Sequence, residues 1–181
     1  MKLIIGLGNP GKEYENTRHN AGFLALDAFL KDKDVKWSTD TKFESEIFET
    51  IVAGTKMLFV KPQGFMNNSG ETASKLCNFH KIDAKQDLLV VHDDVDLPLG
   101  TARAADNSSS AGHKGVQNII DRLGSQEFHR IRIGVDQRAA GDPVPTEAYV
   151  LQKFTADEID RLQDIMRNQV NPMITGFLND K

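Results

Sequence analysis

Short apolar runs alternate along this chain with segments whose apolar residues recur every three or four positions. Lys2–Leu7 reads as a buried strand opening into the turn cluster Gly8-Asn9-Pro10-Gly11. Ala21, Leu24, Ala25, Ala28 and Phe29 carry the spacing of one helix face. Residues 44–53 alternate, Ile47 and Glu49 against Phe48 and Thr50, and with Lys56–Lys61 across Gly54-Thr55 they predict a hairpin. Asn68-Ser69-Gly70-Glu71 has the form of a capping box opening a helix that runs to about Lys81. Leu88–His92 is a further apolar strand, and a short strand near Thr101–Ala105 precedes the loop Ser108–Gly112. A helix over Gly115–Leu123, a strand over Ile131–Val135 and a C-terminal helix opened by Thr155-Ala156-Asp157-Glu158 complete the pattern. No repeat, linker or low-complexity stretch interrupts it. The alternation predicts an α/β fold in which residues 1–181 form a single-domain sandwich, a central mixed twisted β-sheet flanked by helices.

Charge changes this picture in one respect. The chain carries 22 basic and 26 acidic residues, a formal charge of −4. That excludes a uniformly basic surface capturing any phosphate backbone. Only residues 100–140 are net positive, with six basic side chains against four acidic. The single cysteine, Cys77, falls one turn after Ala73 in a predicted helix and reads as a small buried apolar residue. Met1-Lys2-Leu3-Ile4-Ile5 turns into Gly, Asn and Pro too soon for a signal-peptide core. No apolar run approaches the ~18 residues of a membrane helix. A soluble cytoplasmic protein is expected.

Candidate chemistry sits at the predicted strand ends. Gly6-Leu7-Gly8-Asn9-Pro10-Gly11 matches a dinucleotide fingerprint, but Pro10 removes an amide donor and Lys12–Asn16 lacks helical periodicity, so a nucleotide cradle is disfavoured. Asn9 instead projects from a strand end toward which Thr17-Arg18-His19-Asn20 returns at a helix start. A helix N-terminus disfavours imidazolium, so His19 there would stay neutral and able to take a proton. Val90-Val91-His92-Asp93-Asp94-Val95-Asp96 supplies carboxylates, and one of them could fix the imidazole tautomer. A magnesium or calcium site on Asp93, Asp94 and Asp96 is the alternative, and turn formation is the plainest account of Asp94 and Asp96. Asn67, between a strand and a helix, has an amide free to grip a peptide bond or ribose hydroxyl, with Met66 beside it as an apolar wall or as core. Ser110-Ala111-Gly112-His113-Lys114-Gly115 brings a histidine and a cation to a helix start, near Arg103, Arg130 and Arg132 in sequence. A solvated loop position is the expectation for Arg130. No G-x-S-x-G elbow, H-E-x-x-H pair or Walker loop is present.

Assembled in order, these segments resemble bacterial peptidyl-tRNA hydrolases. The resemblance rests on Gly6–Gly11 with Tyr14 and Thr17–Asn20, on Lys61-Pro62-Gln63 with Phe65-Met66-Asn67, on His92–Pro98, on Gly112–Gly115 and on Phe128–Gly134. It implies hydrolysis of the ester joining a peptide to the 3′ ribose of tRNA. It also implies a monomer that needs no metal or other cofactor and acts on peptidyl-tRNA, not on DNA or membranes. By the same resemblance His19 is the catalytic base and Asp93 orients it. Asn9, Tyr14, Met66, Asn67, His113 and Lys114 contact substrate, and Arg132 contacts tRNA phosphate. Three departures stand out: Lys114 where the family usually has Asn, Gly64 where Thr is typical, and Ala104-Ala105-Asp106-Asn107-Ser108 where a basic, Gly-rich run is usual. They suggest a rearranged phosphate clamp in which Lys114 and Arg138 replace part of the missing charge. An RNA-binding relative without hydrolysis is the alternative, and the His19–Asp93 pair argues against it.

Overall fold

The computed structural model describes residues 1–52 and 54–180. The elements run β1 (Lys2–Gly6), α1 (Ala21–Leu30), β2 (Ser38–Asp40), β3 (Ser45–Val52), β4 (Thr55–Pro62), α2 (Ser69–His80), α3 (Ala84–Asp87) and β5 (Leu88–Pro98). They continue with β6 (Ala102–Asp106), α4 (Lys114–Leu123), β7 (His129–Asp136), α5 (Thr146–Val150), α6 (Ala156–Ile165) and α7 (Asn171–Asn179). The strands form one sheet in the order β2-β3-β4-β1-β5-β7-β6. β1 pairs in parallel with β4 and β5, and β5 with β7, while the β2–β3, β3–β4 and β6–β7 pairs are antiparallel. The predicted mixed sheet between helices is what forms. Ala53, the last residue of the predicted 44–53 strand, lies outside the described residues.

Alternation along β1 divides the core. Ile4 faces a cluster built with Ala21, Ala25 and Leu26 of α1 and with Leu162, Ile174 and Phe177 of the C-terminal helices. Leu3 and Ile5 face the opposite cluster, with Ala73, Leu76 and Cys77 of α2 and Val116 and Ile119 of α4. β1 and β5 are buried on both faces, which is why they read as continuous apolar runs rather than alternating ones. Cys77 is buried as expected, and burial pushes its thiol up to about 11.

Two end signals in the sequence have opposite outcomes. Thr155 and Glu158 form a complete capping box: the Thr155 hydroxyl accepts from the Glu158 amide at 3.3 Å, and the Glu158 carboxylate accepts from the Thr155 amide at 2.7 Å. Glu158 also takes Arg18 Nη2 at 2.6 Å in a pair almost sealed from water. The box predicted at Asn68–Glu71 does not form, because a one-turn 3-10 helix (Met66–Asn68) precedes α2 and removes the geometry for a cap. Asn118 of α4 accepts from the Gly70 amide instead, at 2.7 Å, and Glu71 pairs with Arg122. Tertiary contacts have replaced a local cap.

Gly22 fixes how close α1 comes to the sheet. A Cβ there would collide with the carbonyl oxygens of Val91 and Leu7. The Phe23 amide donates to Leu7 O at 3.2 Å in that narrow gap. The seat of α1 decides where the residues just before it stand. Gly22→Ala should therefore lower stability by about 1–3 kcal/mol, since backbone rather than a flexible side chain must move. Urea unfolding monitored by circular dichroism measures it, and an unchanged midpoint would show that the helix shifts without cost.

Candidate active site

The C-terminal ends of β1, β4 and β5 open into a cleft of about 660 Å³. His19 reaches it from a single 3-10 turn, Arg18–Asn20, set directly before α1. That turn is tied down on its outer side. The Arg18 amide and guanidinium bond the carbonyls of Gln152 and Lys153, and the guanidinium lies over the Tyr149 ring at 4.4 Å. Asn20 grips Asn9 from the inner side, accepting from its amide at 2.8 Å and donating to its carbonyl at 2.9 Å. Asn9 Oδ1 in turn accepts from the Met66 amide at 2.8 Å. With that oxygen occupied, the Nδ2 donor is what the side chain has left for a ligand. Asn67 is exposed on the cleft wall next to buried Met66.

Asp93 lies at the floor, 2% exposed. His19 Nδ1 meets both its oxygens, Oδ1 at 2.9 Å and Oδ2 at 3.0 Å. His113 Nε2 meets Oδ1 at 2.9 Å. Burial alone would raise the Asp93 carboxyl, but the two imidazoles hold it well below the usual carboxylate range. His19 is pulled both ways. Burial disfavours its charged form, the charge and hydrogen bond of Asp93 outweigh that, and the Lys114 ammonium opposes them, leaving the ring above its ordinary 6.5. This corrects the expectation that a helix start keeps His19 from charging: a buried carboxylate in contact dominates a helix dipole. Its Nδ1 is committed to Asp93, so the Nε2 lone pair is the one open to a reacting water.

The cleft also collects Phe65, Val95, Ala111, Val150 and Leu151, an apolar wall beside the polar floor. Lys114 Nζ pairs with Glu147 of α5 at 2.7 Å across the mouth. Of the predicted site residues, His19, Asp93, Asn9, Met66, Asn67, His113 and Lys114 all line this cleft. Tyr14 stands outside the lining and packs edge-on against Phe65, ring centroids 6.3 Å apart. Arg132 is beyond it too, with Nε held by Asp94 at 2.5 Å. Arg138 is committed to Asp136 at 3.0 Å and stacks on Tyr149. Arg130 is not a solvated loop residue: it is 2% exposed, and its guanidinium bonds the Ser108 and Ser109 carbonyls, holding the loop that leads to His113. His92 and Asn20 are buried as well, and the sequence alone points to a role for neither. Their signal was a polar side chain next to each catalytic candidate, which a single sequence does not separate from ordinary core.

Three potential ligand atoms, from His19, Asp93 and His113, lie within 4.8 Å of one another. They do not suit a metal. His113 Nδ1 accepts from the Val116 amide at 3.2 Å, so its proton is on Nε2, pointing at Asp93. His19 Nδ1 likewise faces the carboxylate with a proton, and neither nitrogen offers a lone pair inward. The acidic trio is dispersed as well, Asp94 Oδ1 accepting from the Asp96 amide at 2.8 Å in a turn. What remains is an imidazole held by a buried carboxylate beside amide donors, an arrangement able to activate water directly.

The sequence profile of the peptidyl-tRNA hydrolase family matches residues 3–180. The chain is 45% identical to the peptidyl-tRNA hydrolase of Mycoplasma capricolum over 181 residues, covering all of this chain and 95% of that one. It is 41% identical to that of Exiguobacterium sibiricum over 179 residues, covering 99% and 94%. A crystal structure of an Acinetobacter baumannii peptidyl-tRNA hydrolase variant superposes with a TM-score of 0.86 at 30% identity, over 97% of this chain and 89% of that one. The chain belongs to the peptidyl-tRNA hydrolase family.

Two outcomes follow from this geometry. With His19 as the base, kcat/KM should rise with pH through a value above 6.5 and then level off. Asp93→Asn should move that limb down, because burial then acts without the opposing charge, and should cut the plateau on the order of 10²–10⁴-fold. A limb that stays in place would assign the titration to another group. Activity should also survive a chelator, and loss restored by added magnesium would reinstate a metal.

Proposed function

We propose that this cleft hydrolyses the ester between a peptide and the 3′ ribose of tRNA, releasing both. The reading is carried by one observation: His19 Nδ1 is held between both oxygens of buried Asp93 in a cleft that also presents Asn9 and Asn67. His19 Nε2 takes a proton as a water oxygen bonds to the ester carbonyl carbon. Negative charge passes to the carbonyl oxygen, where the amide donors of Asn67 and Asn9 meet it. The C–O bond to the ribose then breaks, and the proton on His19 passes to the 3′ oxygen. Asp93 stabilises the imidazolium between the two transfers. An activated ester leaves no need for a covalent intermediate, and Ser110, which lines the cleft, donates its hydroxyl to Gln117 Oε1 at 2.7 Å.

The apolar wall of Phe65, Met66, Val150 and Leu151 suits the peptide, and the polar floor suits the ribose. tRNA phosphate would meet Arg132 and Lys114. Both are already paired, with Asp94 and Glu147, so each contact exchanges one partner for another and contributes little at high salt. This favours a narrow, salt-sensitive footprint rather than a broad basic face. A cytoplasmic, single-domain monomer acting on peptidyl-tRNA completes the reading. Among the described residues no helix is long and apolar enough to cross a membrane.

His19→Ala should slow single-turnover release of deacylated tRNA on the order of 10²–10⁴-fold while peptidyl-tRNA still binds. Normal rates would sink the assignment, and binding without cleavage by the unsubstituted protein would point to a non-hydrolytic RNA-binding relative. Lys114→Ala should weaken binding of peptidyl-tRNA and reduce the slope of affinity against salt by about one. An unchanged slope would leave Lys114 as a partner of Glu147 only.

A further inference from the structure

The resemblance places His113 among the substrate contacts, yet its two ring nitrogens are both spent inside the protein. Nδ1 accepts from the Val116 amide at 3.2 Å, in the first turn of α4, where His113 is the cap. Nε2 donates to Asp93 Oδ1 at 2.9 Å, the oxygen that His19 Nδ1 also approaches at 2.9 Å. The side chain is 8% exposed. A ring so engaged has no donor or acceptor to offer a substrate.

We propose that His113 is a positioning residue for the hydrolysis, a neutral donor that shares the Asp93 carboxylate with His19 and so limits how strongly that carboxylate holds the catalytic ring. This rests on the reading of His19 as base. A carboxylate whose charge is divided between two donors stabilises an imidazolium less than one serving His19 alone. The best general base titrates near the working pH, so a buried Asp93 acting without competition would make His19 too readily charged. His113 also stops the carboxylate from turning away, because Oδ1 is gripped from two sides.

The surroundings are built to keep His113 in that state. His92 packs edge-on against it, ring centroids 4.8 Å apart, and puts its own Nδ1 on the Asp93 carbonyl at 2.7 Å. Burial pushes His92 down to about 3, so it stays neutral and adds no competing charge. Arg130 fixes the loop on the far side through Ser108 and Ser109. The other charged groups facing the pair are few. Asp94 and Asp96 come from β5, Lys114 from α4 and Glu147 from α5. Asp94 is paired with Arg132 and Lys114 with Glu147, so among these described groups only Asp96 faces the pair without a paired opposite charge.

His113→Leu and His113→Gln separate the possibilities, the glutamine replacing the ring's Nε2–H by an amide N–H of similar reach. The pH dependence of kcat/KM on peptidyl-tRNA should show the acidic limb displaced upward by about half a unit to one unit in His113→Leu, with KM on the plateau within about twofold of the parent. His113→Gln should return the limb to its original position. A KM raised about tenfold in His113→Leu with an unmoved limb would make His113 a substrate contact and overturn the proposal. Nitrogen-15 NMR of the histidine rings in the unsubstituted protein gives a second reading, independent of turnover and of any folding defect. His113 should hold its proton on Nε2 and leave Nδ1 as an acceptor. A proton on His113 Nδ1 would refute the idea even if His19 is the base. An inactive His19→Ala together with that result would fail the sharing of Asp93 alone.

Discussion

A carboxylate taken out of water at the end of a parallel strand costs several kcal/mol unless donors surround it. Asp93 is such a group, and the cleft end of the fold is organised around keeping it charged. β1 and β7 flank β5 so that Asp93 emerges from a strand buried on both faces. α1 must sit tightly on the sheet, at Gly22, for the preceding turn to bring His19 within 3.0 Å of it. α4 must start where it does for His113 to cap its own helix and reach the same oxygen.

The amide donors form a second chain of dependence that meets the first at residues 19 and 20. Asn20 follows the base directly and holds the backbone of Asn9, whose side chain holds the Met66 amide, which adjoins Asn67. His19 and the amides of Asn9 and Asn67 are thus registered to each other through three hydrogen bonds and two peptide links. Such short connections limit positional error, the quantity to which positioned water attack is most sensitive. The apolar wall of the cleft is looser by comparison, with an exposed Phe65.

Much of this was legible from the residues, and the failures have a common cause. The runs at Lys2–Leu7 and Leu88–His92 and the helix carrying Ala21, Leu24, Ala25, Ala28 and Phe29 are dictated by their own periodicity, and the structure repeats them. The Thr155–Glu158 cap is local chemistry, so four residues suffice to predict it. Asn68–Glu71 has comparable chemistry but is overruled by Asn118, 48 residues from Gly70 along the chain, and no local pattern announces that. Arg130 shows the same thing in reverse. A charged residue near a Ser-rich loop reads as solvated, and only the fold reveals that two loop carbonyls converge on it. At the site, residue types were readable because strand ends and turns advertise themselves. Ring tautomers and the pairing of Lys114 with Glu147 were not, since they depend on which elements face each other across the cleft.

Glu158 caps α6 and also neutralises Arg18, the residue next to His19. One side chain therefore closes the loop between the start of the molecule and its last third. In biosynthesis this has an order built into it. The strand and turn that carry Asn9 and His19 leave the ribosome early, but Arg18 has its buried partner only after residue 158 has emerged. A chain stopped short of that point would hold a full set of catalytic side chains and still have an unpaired guanidinium beneath the base. The seat of the turn that carries His19 therefore depends on a residue about 140 positions further along the chain.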